Sequence, residues 1–223
     1  MLLKETLKAV LRLQKAELLE KKESISREVL QRIDLAAPQA IIISGIRRCG
    51  KSTLLQQLMK KANISYYCNF EEPRLFGFGI EDFEKLIACF EEDNPGGKHY
   101  FFDEIQNVPG WEKQIRSLLD RGKRCIITGS NASLLSRELG TLLTGRHLTY
   151  ELFPFSYKEM LKLVKKTPSL ASFEEYATAG GFPEFLLQRK TEYLQELMKD
   201  IIFRDIGLML AALSLHALHH NAK

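Results

Sequence analysis

Gly45-Ile46-Arg47-Arg48-Cys49-Gly50-Lys51-Ser52 satisfies the pattern G-x-x-x-x-G-K-[ST] at every fixed position. The apolar run Ala40-Ile41-Ile42-Ile43 precedes it, and Thr53-Leu54-Leu55-Gln56-Gln57-Leu58 opens a helical pattern behind it. A strand, a glycine-bounded loop and a helix form the context in which this pattern cradles phosphate. The glycines permit a tight turn, so that successive backbone N–H groups face one concavity, and the new helix adds roughly half a positive charge at its start. Lys51 is spaced to reach β- and γ-phosphates, and the Ser52 hydroxyl to ligate Mg²⁺. The segment from Gly45 to Thr53 is therefore expected to hold a nucleoside triphosphate.

His99-Tyr100-Phe101-Phe102-Asp103-Glu104 is an apolar strand that delivers two carboxylates at its carboxyl end. In an open α/β sheet, ligands sit at that edge. Asp103 is expected to share the Mg²⁺ with Ser52, and Glu104 to polarise a water for attack on the γ-phosphate. Thr128-Gly129-Ser130-Asn131 ends another apolar run. Ser130 or Asn131 there either orients the attacking water or caps the helix that follows.

Arg146, in Thr144-Gly145-Arg146, has two readings of equal weight: a finger that reaches the γ-phosphate of a neighbouring copy, or a structural ion pair. Arg47 and Arg48 are read as guanidinium groups that steer phosphate, with simple solvation as the alternative. Cys49 is read as a small filler, against the alternative of a redox-sensitive thiol. His216, His219 and His220 have no acidic or cysteine companions and read as a polar tail.

Around these residues the pattern alternates. After the phosphate-loop helix, strands are expected at 64–70, 99–102, 124–128 and 147–152, with helices at 82–92, 111–119 and 134–143 between them. Strands alternating with helices imply a parallel sheet covered on both faces. Leu3, Leu7, Val10, Leu11 and Leu18 recur at helical spacing near the amino terminus, with a solvated charged face, and a second helix is expected over 26–33. Beyond Pro154 the pattern is all-helical, and Ser156-x-x-Glu159 and Ser172-x-x-Glu175 have capping-box spacing. The expected division is an N-terminal helix (1–24), a nucleotide-binding core (25–153), a helical unit (154–205) and an atypical tail (206–223).

With 45% hydrophobic and 27% charged residues over 223 positions, the composition is that of a folded globular chain and excludes disorder. A net charge of +4 is too mild to specify nucleic acid, and neither a recognition helix nor aromatic–basic interleaving is present. Cys49, Cys68, Cys89 and Cys125 are far apart, which predicts reduced thiols rather than a zinc site or a disulfide framework. Charges interrupt the amino terminus, and the apolar stretch from Gly207 to Leu213 falls short of the ~20 residues a membrane span needs. The expectation is a soluble, cytoplasmic protein.

Six motifs in order resemble an AAA-type P-loop ATPase family of bacteria and archaea whose members mostly lack assigned functions. They are Gly45-x-Arg47-Arg48-x-Gly50-Lys51-Ser52-Thr53, then 102–111 (Phe-Asp-Glu-Ile-Gln-Asn-Val-Pro-Gly-Trp), Thr128-Gly129-Ser130-Asn131, Leu143-Thr144-Gly145-Arg146, 154–159 (Pro-Phe-Ser-Tyr-Lys-Glu) and Gly180-Gly181-Phe182-Pro183-Glu184. The resemblance implies a five-stranded parallel sheet of order 5-1-4-3-2 and a small helical lid that closes over ATP. It places Ser130 or Asn131 at the first sensor position and Arg146 at the finger position, which implies assembly with further copies of the chain. It also implies that Gly181-Phe182-Pro183 is the lid element whose proline, Pro183, contacts the nucleotide. Family members usually continue into a further C-terminal domain, suggested to bind DNA or protein, whereas this chain runs from Asp205 into an apolar tail that reads as a truncation or a shifted reading frame.

The expected function is hydrolysis of Mg-ATP to ADP and phosphate as a nucleotide-dependent switch. No guanine-reading N-K-x-D motif occurs, which favours ATP over GTP. The alternative is a module that holds ATP with little turnover and works in protein or DNA association.

Overall fold

The computed structural model describes residues 1–20, 24–62, 65–129 and 143–206. Five strands, β1 (Ala40–Ser44), β2 (Ser65–Asn69), β3 (His99–Asp103), β4 (Arg124–Gly129) and β5 (His147–Glu151), pair in the order β2-β3-β4-β1-β5. Every pair is parallel. Read from the other edge, this is the expected order 5-1-4-3-2. The expected helix at 134–143 lies, but for Leu143, outside the described residues, as do Ser130, Asn131 and the histidine tail.

All five residues of β1 are buried, as a central parallel strand covered on both faces requires. Because side chains alternate along a strand, the apolar runs feed two separate cores. Ala40, Ile42, Tyr100, Phe102, Cys125 and Ile127 face one side, where they meet α1 (Lys4–Glu20), α3 (Asp82–Asp93) and α4 (Trp111–Asp120). Ile41, Ile43, Phe101 and Ile126 face the other, under α2 (Lys51–Met59) and the 29–35 segment. The aromatic side is dense: Tyr66 stacks on Phe90 at 5.0 Å, and Phe83 meets Phe102 edge-on at 5.7 Å.

The charged residues of α1 lie on an exposed face, as its pattern implied. Lys4 and Lys8 pair with Glu92, and Lys15 with Asp93, which fastens α1 to α3. On the opposite side Gln14 meets the edge strand. Its Nε2 donates to the Asn69 carbonyl and its Oε1 accepts from the Asn69 N–H, both at 3.0 Å. Residues 26–33, read as a helix, form only a 3₁₀ turn at Glu28–Gln31, because the preceding Arg27 is held extended by contacts described below.

After β5 the chain is helical: α5 (Tyr157–Val164), α6 (Leu170–Ala179), α7 (Pro183–Gln188) and α8 (Thr191–Asp200), followed by a π-helical turn at Ile201–Ile206. The Ser156/Glu159 capping box starts α5 as expected. The second expected box does not form. Ser169 caps α6 one turn earlier and bonds reciprocally with Ser172, so Ser172 is the third helical residue rather than the cap. No helix among the described residues is long and apolar enough to cross a membrane.

Candidate functional site

β1 ends at Ser44, and the loop turns at once at Gly45, whose φ of 154° leaves no room for a side chain. A Cβ there would lie 2.3 Å from the Leu152 carbonyl oxygen. Gly50, at φ 100°, starts α2. Between them Arg48 adopts the left-handed conformation (φ 63°), which costs a non-glycine residue of order 1 kcal/mol and marks a loop held by its surroundings.

Lys51 folds back over this loop. Its ammonium donates to the Gly45 carbonyl at 3.0 Å and the Ile46 carbonyl at 3.2 Å, and sits 3.9 Å from Glu104 Oε1. Only 5% of Lys51 is exposed. Arg47 leans toward Glu71 at 3.4 Å, and Ile46 is partly exposed at the loop tip. Cys49 is fully buried, and burial pushes its thiol pKa up, so the filler reading holds and the redox reading does not. The other three cysteines are buried and free.

Two strands away, β3 delivers Asp103 beneath the start of α2. Its side chain is closed off from solvent and takes hydrogen bonds from three hydroxyls: Ser52, Thr128, and Tyr67 at 3.2 Å. Burial raises its pKa, against the pull of the Thr128 and Ser52 bonds, while the Glu104 charge adds to the rise. Tyr67 is driven upward too, by burial first and then by the Asp103 charge.

Glu104 leaves the strand in a left-handed conformation (φ 53°, ψ 48°), which turns its carboxylate towards Lys51. Its N–H donates to Thr128 Oγ1 at 3.1 Å, and its Oε2 accepts from Gln106 Nε2 at 2.6 Å. One hydroxyl, that of Thr128, therefore donates to the Asp103 carboxylate and accepts from the Glu104 backbone N–H, tying the Asp103 side chain to the peptide from which Glu104 leaves the strand. Sequence reasoning passed over Thr128 in favour of the residues after it. Its signal was a lone hydroxyl closing the apolar run Cys125-Ile126-Ile127. Tyr67 and Gln106 were also missed.

The structure thus gathers Gly45, Ile46, Arg47, Arg48, Cys49, Gly50, Lys51, Ser52, Thr53, Asp103 and Glu104 at the carboxyl edge of the sheet. Pro183 comes near through the helical segment. It opens α7, and the neighbouring Glu184 lies 3.7 Å from Arg48. Arg146 is not brought to this edge. Its carbonyl accepts from the Ala40 N–H at the start of β1, and its guanidinium pairs with Asp120 at 2.5 Å. The length of β1, about 13 Å at ~3.3 Å per residue, separates it from the loop of its own chain. Asn131 lies outside the described residues.

The donor set suits a triphosphate with a hard divalent cation: a cationic amine, a helix start, and the oxygens of Ser52 and Asp103. Among the described residues no cluster of three or more His, Cys, Asp or Glu exists to hold a metal without such a partner. A cavity of about 490 Å³ elsewhere, between α1, α2 and the β2 edge, does not include the phosphate loop.

Comparison with known proteins agrees with this geometry. The family described as "AAA domain" matches residues 37–161, which spans β1, the loop, both carboxylates and the start of α5. The chain belongs to this AAA-type P-loop ATPase family. An uncharacterised protein of Methanocaldococcus jannaschii is 34% identical over 207 residues, covering 85% of this chain and 46% of that protein. An uncharacterised protein of Haemophilus influenzae is 37% identical over 186 residues, covering 74% of this chain and 46% of its own length. This chain spans less than half the length of either curated relative. Among solved structures, the Hsp104–ADP complex of S. cerevisiae shares the fold at a TM-score of 0.53 and 12% identity, over 94% of this chain and 36% of that one.

Proposed function

We propose that this chain binds Mg-ATP in the loop from Gly45 to Thr53 and hydrolyses it to ADP and phosphate, with the helices after Pro154 acting as a lid that reports the nucleotide state. The observation that carries this is the convergence at one sheet edge of the Lys51 ammonium, the Ser52–Asp103 pair and Glu104, 3.9 Å from Lys51. In this reading Lys51 exchanges its bonds to the Gly45 and Ile46 carbonyls for phosphate oxygens, so the loop holds its cation ready without leaving it unsatisfied. Ser52 and Asp103 hold Mg²⁺, which when bound neutralises charge on the phosphate oxygens. Glu104 accepts the proton of the attacking water, its other oxygen kept in place by Gln106. Pro183 borders the nucleotide from the lid.

The test is phosphate release together with calorimetric binding of ATP and GTP. Glu104→Gln is expected to keep ATP binding and lower turnover by ~10²- to 10⁴-fold, the usual worth of a positioned base. Unchanged turnover in that variant removes Glu104 from its role. Lys51→Ala is expected to lose binding itself.

A second reading is a module that holds ATP with little turnover of its own. The engagement of Arg146 by Asp120, at the edge away from the loop, favours it for the isolated chain. Turnover that stays near zero at every protein concentration, with tight ATP binding, is its signature. The assembly with further copies, and any DNA or protein partner, belongs to the same proposal, as does cytoplasmic location.

A further inference from the structure

Arg27 belongs to none of the motifs that define the site, yet it is 3% exposed and spends its fork on three different parts of the molecule. Nη1 donates to the Cys49 carbonyl at 2.7 Å, inside the phosphate loop. Nη2 donates to the Phe153 carbonyl at 2.7 Å, in the connector that leaves β5. Nε donates to Glu159 Oε1 at 3.0 Å, in the first turn of α5, and the guanidinium lies 4.8 Å from the Phe155 ring centroid.

Glu159 is buried to the same degree and fully engaged. Its Oε1 also accepts from the Glu28 N–H at 2.7 Å, and its Oε2 from the Ser156 N–H at 2.9 Å as the capping box of α5. A buried ion pair is tolerated only with its remaining hydrogen bonds satisfied, and this one is. The pair is also directional. Cys49 C=O belongs to the peptide that leads into Gly50 and Lys51; because a trans peptide is planar, fixing that carbonyl towards Arg27 aims the Gly50 N–H the opposite way. A Cβ on Gly50 would come within 3.0 Å of Arg27 Nη1, so the loop and the guanidinium are fitted to each other. A second loop-to-lid contact, Arg48 with Glu184 at 3.7 Å, is largely exposed, where such pairs contribute little.

We propose that Arg27 is a positioning residue that couples the placement of the helical lid, through Glu159, to the peptide orientation of the phosphate loop. A change at the loop then moves α5, and a change in α5 is felt at the loop. The nucleotide part of this inference rests on the ATP reading above; the mechanical part does not. Arg27→Lys is the direct test, because it keeps the charge and loses the fork.

Hydrogen exchange of the full chain without nucleotide is the first readout. The variant is expected to exchange about tenfold faster or more in both the loop (45–52) and the start of α5 (155–164), with β3 and β4 unchanged. A response in one segment alone overturns the coupling. The second readout adds a non-hydrolysable ATP analogue. In the wild type it is expected to protect loop and α5 together; in Arg27→Lys, to bind about tenfold more weakly and protect the loop alone. Undiminished protection of α5 in the variant overturns the proposal. Should the wild type bind no analogue, the ATP reading fails, and the first readout still decides the coupling. If Arg27→Lys does not fold, Glu159→Gln replaces it, since it keeps the size of the side chain and an acceptor oxygen while removing the charge that holds Nε. That variant is expected to uncouple in the same way, and retained coupling in it refutes the role.

Discussion

Asp103 is a carboxylate shut away from water and ringed by the hydroxyls of Ser52, Thr128 and Tyr67. Its raised pKa means that the folded chain binds this proton more tightly than the unfolded chain does. Stability therefore falls as pH rises from the ordinary carboxylate range to the folded value, and above that value the ionised group remains a cost. In the Mg-ATP reading proposed above, a divalent cation held by Asp103 would relieve that cost. Asp103→Asn is accordingly expected to raise the melting temperature of the nucleotide-free protein at neutral pH. The same variant is expected to lose the Mg²⁺-dependent part of ATP binding. Melts with and without Mg²⁺ check both, and a variant less stable than wild type at neutral pH contradicts the account. At this scale the sequence was informative where a residue breaks a pattern: Asp103 and Glu104 stand out because they end an apolar run. Arg27 and Tyr67 were silent. Arg27 precedes an irregular turn, and Tyr67 reads as one more strand aromatic, so only tertiary placement reveals what their polar atoms meet.

Between elements, the narrowest passage is where the chain leaving α6 returns to the connector after β5. Phe155 N–H donates to the Gly181 carbonyl at 2.7 Å, and a Cβ on Gly181 would lie 2.1 Å from the Phe155 oxygen. Gly181 is thus required by backbone proximity alone, independently of the nucleotide contact proposed for Pro183. Gly181→Ala is expected to destabilise the protein by about 1–3 kcal/mol, with faster exchange at 155–164 and 176–186 and an unchanged sheet. Uniform loss of protection across β1–β4 counts against a local origin. Capping spacing located α5 well but misplaced the start of α6. Ser-x-x-Glu at 172–175 and the polar run Thr167-Pro168-Ser169 both offer a cap, and spacing alone does not say which serine precedes the turn.

For the whole molecule, a parallel sheet covered on both faces was legible because strands alternate with helices and carry near-continuous apolar runs. The strand order came from the family resemblance, since apolar runs do not say which strand pairs with which. What the chain does beyond one copy was not legible, since Arg146 faces Asp120 on the far edge. If a neighbouring copy uses it, specific activity is expected to rise with protein concentration, and Arg146→Ala to abolish that rise while leaving ATP binding intact. Activity per chain that is flat over a hundredfold concentration range excludes the finger. The ~10³- to 10⁵-fold acceleration that such fingers give makes the contrast easy to read.

The outermost strand, β2, carries one further consequence. Gln14 offers Asn69 the donor and acceptor that another strand would, and α1 lies along that border. The helix thus serves as a stopper against zippering by a stray chain. Cutting off residues 1–20 is expected to increase clumping through β2 relative to the full chain, visible by light scattering. A lysine placed in the middle of β2 should rescue it.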